Sequence, residues 1–234
     1  LCHPPKEETP MKVQIYSHRS PEEVAMSAAA GVDFLGFVPG AHGRLKFEMP
    51  YEDVRALMAQ VPPHHMAVAL TVAYDVAEIV ETVQAVRPHV LHLSGEISEM
   101  PIERVAELRQ AIPFVKILTA IAVGGPETRE EALKYAVDYQ HVSDYYILDT
   151  DNKALNAIGA TGITHDWSIS AEIVRTVNIP IIMAGGLSPA NVADAVRVVR
   201  PWAVDSYTHT NNPATHRKDP ALVKAFVDAA KSAL

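Results

Sequence analysis

The stretch Pro180-Ile181-Ile182-Met183-Ala184-Gly185-Gly186-Leu187-Ser188-Pro189 decides how the chain folds. An apolar run too short for a helix stops at two glycines, and a hydroxyl followed by proline then opens an amphipathic stretch that reaches Val199. This is the pattern of one strand, one tight turn and one helix, with Ser188 expected as the capping hydroxyl and Pro189 in the first turn. The next apolar run, Ala203 to Asp205, begins the unit again.

Outward from there the alternation extends back to Met11. Candidate strands are Lys12 to Tyr16, Phe34 to Val38, Met66 to Leu70, Val90 to Leu93, Val115 to Ala120, Tyr145 to Leu148, Pro180 to Met183 and Ala203 to Asp205, eight in all. Helical patterns lie between and after them: Pro21 to Ala30, Tyr51 to Ala59, Val76 to Val86, Ile102 to Ala111, Glu127 to Tyr139, Ser168 to Thr176, Pro189 to Val199 and Pro220 to Ala233. Ser20-Pro21-Glu22-Glu23 repeats the start signal seen at Ser188. Strands joined by helical crossovers run parallel, and eight such units close without leaving a sheet edge. The expected architecture is an α/β fold, a single (β/α)8 TIM barrel over residues 11–234. An open doubly wound sheet is the alternative, but no G-x-G-x-x-G follows the first strand and the even spacing favours closure. Leu1 to Pro10, rich in Pro and Glu, is expected to be an N-terminal extension outside the fold and disordered.

The formal charge of −8 and the lack of a basic run argue against nucleic acid or an anionic membrane as partner. A local nest of backbone N–H groups still binds phosphate within an acidic protein. Cys2 is the only cysteine, so no disulfide forms within the chain and a reducing cytoplasm is the expected location. No apolar run approaches the roughly 20 residues that span a bilayer, and the polar start carries no signal-peptide core.

In a barrel of this kind the chemistry sits in the loops after the strands. After the sixth strand come Asp149 and Gly159-Ala160-Thr161-Gly162, after the seventh Gly185-Gly186, and the eighth ends at Asp205-Ser206-Tyr207-Thr208. Strand-end glycines also make plain tight turns. Two glycine motifs beside a hydroxyl-rich loop, with a helix N-terminus nearby, instead point to a phosphorylated small molecule held by Gly159, Gly162, Gly185, Gly186, Ser206 and Thr208.

The chain resembles the phosphoribosylanthranilate isomerase family of tryptophan biosynthesis. The resemblance is carried in order by Val32-Asp33-Phe34-Leu35-Gly36-Phe37-Val38, Leu91-His92-Leu93-Ser94-Gly95-Glu96, Tyr146-Ile147-Leu148-Asp149-Thr150, Gly159-Ala160-Thr161-Gly162 with Asp166-Trp167, the Pro180 to Leu187 stretch and Lys218-Asp219. It implies an isomerase that works without metal or organic cofactor, as a monomer or homodimer. The reaction is an Amadori rearrangement, in which a phosphoribosylamine opens and becomes a ketose. That chemistry needs an acid for the ring and a base for the proton on the second sugar carbon.

Asp149 matches the family's acid. The family's base is a cysteine in a Lys-Ile-Cys-Gly setting, whereas here the text is Gln14-Ile15-Tyr16-Ser17, with Tyr16 at the cysteine position. The family's fourth-strand Gln and His are His92 and Ser94, and His209 stands at the glycine of its eighth-strand Ser-Ser-Gly. Arg44 and Asp205 are the expected substrate-binding residues, and Asp149, His92 and Tyr16 the expected catalytic ones. A phenol with its ordinary pKa near 10 is a poor base at neutral pH, so weak or absent family turnover is expected unless another residue serves, His92 first among His18, His92, His165 and His209. A silent phospholigand-binding or regulatory barrel is the alternative. A Schiff-base aldolase using Lys116 is a third. No H-x-x-x-H or clustered His/Asp spacing suggests a metal.

Overall fold

The computed structural model describes residues 10–40, 43–124, 129–150 and 166–233. It is a closed barrel in chain order. The strands are β1 (Lys12–Ile15), β2 (Phe34–Phe37), β3 (Met66–Thr71), β4 (Val90–Leu93), β5 (Lys116–Val123), β6 (Tyr145–Thr150), β7 (Ile181–Met183) and β8 (Ala203–Ser206). Each pairs in parallel with the next, and β8 returns to β1 through Lys12↔Ala203 to Ile15↔Ser206. The helices are α1 (Pro21–Ala30), α2 (Tyr51–Met58), α3 (Val76–Val86), α4 (Ile102–Ala111), α5 (Arg129–Tyr139), α6 (Trp167–Thr176), α7 (Val192–Val199) and α8 (Pro220–Lys231). The expected single (β/α)8 barrel is the observed fold. Apart from Pro10, the expected extension lies outside the described residues.

Alternation along each strand separates two layers. Val13 and Ile15 face outward into a cluster with Val223 and Phe226 of α8, while Tyr16 joins the interior cluster of Phe34, Val68, Leu118, Ile147 and Ala203. Fully burying side chains such as Ile15, Leu35 and Phe37 contributes about 1.5–3 kcal/mol each, which presses the helices onto the strands. The N-terminal end of the barrel is closed by aromatic rings: Trp202 stacks on Tyr145 at 5.4 Å and meets Phe34 edge-on at 5.5 Å. That floor leaves the C-terminal end as the open mouth.

Two local expectations are corrected. Ser20 does cap α1, its hydroxyl accepting from Glu23 N, but Ser188 does not cap α7. Asn191 Oδ1 accepts from Ser188 N at 2.7 Å and its amide donates to Gly186 O, so Ser188 is the donor and the helix begins at Val192. The fifth strand continues past Ala120 to Val123 because β6 supplies partners as far as Thr150. Lys116, the first residue of β5, lies toward the barrel floor with its side chain 57% exposed and paired to Asp144 at 2.9 Å. It is therefore no buried amine for a Schiff base at the mouth.

Candidate functional site

The inward phase of the strands assembles the site. Successive side chains alternate faces, so Gln14 and Tyr16 on and just after β1, His92 and Ser94 on and just after β4, Ile147 and Asp149 on β6, and Asp205 on β8 all turn to the axis. A cavity of about 570 Å³ opens above them, walled by Tyr16, His92, Asp149 and Asp205 below and by Phe47 and His216 from the segments after β2 and β8. Its size suits a small-molecule ligand.

Tyr16 crosses this mouth. Its ring fills the space over Gly36, where an added Cβ would stand 2.2 Å from Tyr16 Cδ1. Its hydroxyl meets His92 Nδ1 at 2.9 Å, linking β1 to β4. Burial, and then the Asp205 charge, push the Tyr16 phenol well above its usual pKa, so it keeps its proton. Burial pushes the His92 imidazole down to about 3. The neutral ring carries a single hydrogen, so whichever nitrogen lacks it is an acceptor, and Nε2 is the one that does not meet the phenol. That buried nitrogen has no hydrogen-bond partner among the described residues.

Two carboxyls face the same space. Asp149 is half-buried, and its Oδ1 accepts from Thr150 N at 2.7 Å. Desolvation raises it to about 6 against that hydrogen bond. Asp205, 7% exposed, accepts from Gln14 Nε2 at 3.1 Å. Burial and then the Asp149 charge push it up to about 8, opposed by Gln14 and Lys218. Lys218 is buried behind Tyr16. It donates to the Tyr16 carbonyl and to Asn211 Oδ1, and burial lowers its ammonium to about 7.

Beside the carboxyls a recess of about 30 Å³ is lined by Gly185, Gly186, Ser206, Thr208 and His209, with Asp149 and Asp205 at its edge. Gly185 and Gly186 take φ of +84° and +65°, the left-handed region that suits glycine, and both line the recess. Ser206 Oγ donates to Leu187 O at 2.8 Å, tying β8 to this turn. Gly159, Gly162 and His165 lie outside the described residues. Arg44 stands at the cavity wall in a two-pronged pair with Glu78, at 2.6 and 3.2 Å. His18 is placed elsewhere: its nitrogens meet Gly36 O and Ser27 Oγ, making it a satisfied core histidine.

Residues 13–229 match the family described as N-(5′-phosphoribosyl)anthranilate (PRA) isomerase. The chain belongs to the PRA isomerase family. A relative named N-(5′-phosphoribosyl)anthranilate isomerase 2, from Methanosarcina mazei, is 32% identical over 222 residues, 95% of each chain. The PRA isomerase of Thermotoga maritima superposes with a TM-score of 0.77 at 26% identity, covering 94% of this chain and 98% of that one. A further solved PRA isomerase, in complex with reduced 1-(o-carboxyphenylamino)-1-deoxyribulose 5-phosphate, gives 0.75 at 25% identity over the same shares.

Within the PRA isomerase frame, the mouth of this chain gathers Tyr16, His92, Asp149 and Asp205 as the sequence suggested, with Gly185, Gly186, Ser206 and Thr208 beside them. Gln14, Asn211 and Phe47 were not singled out from the sequence. Gln14 carried a usable signal, because it is polar, lies two residues before Tyr16 and therefore shares its inward phase. Asn211 and Phe47 sit in loops, where no periodicity marks them.

Proposed function

We propose that this chain carries out the Amadori rearrangement of N-(5′-phosphoribosyl)anthranilate, exchanging protons with the sugar at Asp149. One observation carries the reading: Asp149, next to last in β6, lines the cavity of the open mouth, which is large enough for the substrate, with a pKa raised toward neutrality. The phosphate would rest on the Gly185-Gly186 turn and the Ser206 to Thr208 segment, with Gly159 and Gly162 completing it. His92 Nε2, which meets no partner among the described residues, would bond a sugar hydroxyl, and Arg44 with Asp205 would orient the rest. No metal or organic cofactor enters the proposal, and a cytoplasmic location fits the lone Cys2.

A silent phospholigand-binding barrel is the second reading, favoured by the Tyr16 hydroxyl being committed to His92 where the family places its base. A turnover assay with phosphoribosylanthranilate decides between them. Asp149→Asn is expected to lower kcat on the order of 100-fold to 10,000-fold, the usual worth of a positioned acid or base. Absence of turnover in the unmodified protein, with retained phosphate binding, would establish the second reading.

A further inference from the structure

Resting on that reading, we propose that Lys218, which does not itself line the cavity, is a positioning residue: its side-chain amine holds the backbone of Tyr16, so that the phenol stays on His92 and His92 stays where it meets the sugar.

The case starts at the end of β1. Tyr16 is the first residue past that strand, and its N–H still bonds Ser206 O on β8 at 3.3 Å. Its carbonyl accepts from Lys218 Nζ, which comes from the segment just before α8. Both backbone polar groups of Tyr16 are thus fixed from the β8 side, while its ring packs over Gly36 and its hydroxyl meets His92 Nδ1 on β4 at 2.9 Å. The hydroxyl lies at the far end of the ring, so a small rotation of the backbone is magnified there, and a hydrogen bond weakens steeply as its length and angle depart from the optimum. Loss of the amine therefore reaches His92 without any contact between the two.

The surroundings of Lys218 suit it to holding other residues. It is 7% exposed, and besides the Tyr16 carbonyl its amine meets Asn211 Oδ1 at 2.6 Å and lies 5.0 Å from the centre of the Tyr207 ring. Tyr16, Asn211 and Tyr207 all wall the cavity, so one buried amine ties together three residues that a ligand would meet. Both oxygen partners are neutral, and no ion pair with them offsets the desolvation of the side chain. An ammonium has three N–H donors and a neutral amine two, so both bonds are made in either form.

Lys218 is anchored in its turn. Its backbone N–H donates to Glu23 Oε1 at 3.1 Å, and Glu23, buried on α1, also pairs with Arg217 at 2.8 Å. An antiparallel bridge joins Asn211 to Lys218, and Asp219 N donates to Thr210 O at 3.1 Å. A donor locked by its own neighbours is what holds a reacting constellation to a fraction of an ångström, and a misplacement of about 1 Å costs turnover on the order of 100-fold.

A double-mutant cycle on the full chain tests the proposal. Turnover of phosphoribosylanthranilate per folded molecule is measured for Lys218→Met, which keeps the length of the side chain and removes the donor, for Tyr16→Phe, which removes the hydroxyl, and for the two together. Each single substitution is expected to lower kcat on the order of 10-fold to 100-fold, and the pair to lower it little further, because Lys218 acts through the hydroxyl. A tie that serves packing alone would make the two effects multiply, and that result overturns the proposal, as does an unchanged kcat in Lys218→Met. If Lys218→Met does not fold, Lys218→Gln, whose shorter side chain sets its donor further from Tyr16, takes its place in the cycle. Nitrogen NMR of labelled histidine needs no turnover, with His92→Gln assigning the His92 signals. Lys218→Met should move the His92 Nδ1 signal in the same direction as Tyr16→Phe does, and a signal left in place refutes the positioning role. Absence of turnover in the unmodified chain removes the proposed function, while the NMR comparison still judges Lys218.

Discussion

At the scale of single residues, the mouth stores its chemistry as a pH-dependent cost to stability. A carboxyl with an ordinary pKa of about 3.9 in the unfolded chain and one raised to about 8 in the fold binds its proton more tightly when folded. Stability from Asp205 is therefore full at low pH, falls as pH rises through the interval between those values, and is level above it. His18 and His92, depressed to about 3 by burial, act in the opposite sense, and stability is lost as pH falls from about 6.5 toward 3. Asp205→Asn removes the first cost while keeping a group for Gln14 to bond. Its melting temperature should exceed that of the unmodified protein by a margin that widens from about pH 4 to about pH 8, at about 2–4 °C for each kcal/mol in a domain of this size. A margin that does not change with pH would show that Asp205 is ionised throughout. Such a gain in stability with loss of function is expected where a site is built from buried charges.

At the scale of elements, β1 and β2 fit together only because position 36 lacks a side chain. Gly36→Ala would drive a methyl group into the Tyr16 ring, so some shift of the ring or of β2 is unavoidable. A destabilisation of about 1–3 kcal/mol is expected by urea denaturation, as for other overpacked cores. In a Tyr16→Cys background the same substitution should cost clearly less, since the ring that it meets is gone. Equal costs in both backgrounds would mean that the strain lies in the β2 backbone. The elements also show what the sequence can convey. The Pro180 to Met183 run, the Gly185-Gly186 turn and the Ser20 cap were legible because each follows from local sterics and hydrogen bonding. The start of α7 was not, since whether Ser188 or Asn191 supplies the side-chain acceptor depends on how Gly186 presents its carbonyl.

At the scale of the whole molecule, the barrel divides its labour between a floor of stacked aromatic rings and an open mouth of polar groups. A ligand that binds only the folded mouth stabilises the entire domain. Inorganic phosphate at a hundred times its dissociation constant should stabilise by about 2.7 kcal/mol, visible as a concentration-dependent rise in melting temperature. Gly186→Val should remove that rise by putting a side chain into the lining of the recess, at a residue whose φ is +65°. A rise that persists in the variant would place the anion elsewhere.

The sequence by itself determined the closed eight-fold alternation, the family, and the side chains that end the strands, because strand phase and turn chemistry are local and repeat along the chain. It also marked Tyr16 as a departure from the family pattern. What Tyr16 does there was decided only in three dimensions, where its hydroxyl reaches His92 on a strand that is not its neighbour and its ring fills the space left by Gly36. The same holds for Asp149 and Asp205. As letters they are two carboxylates, and that both are pushed up depends on the enclosure that only closure of the barrel supplies.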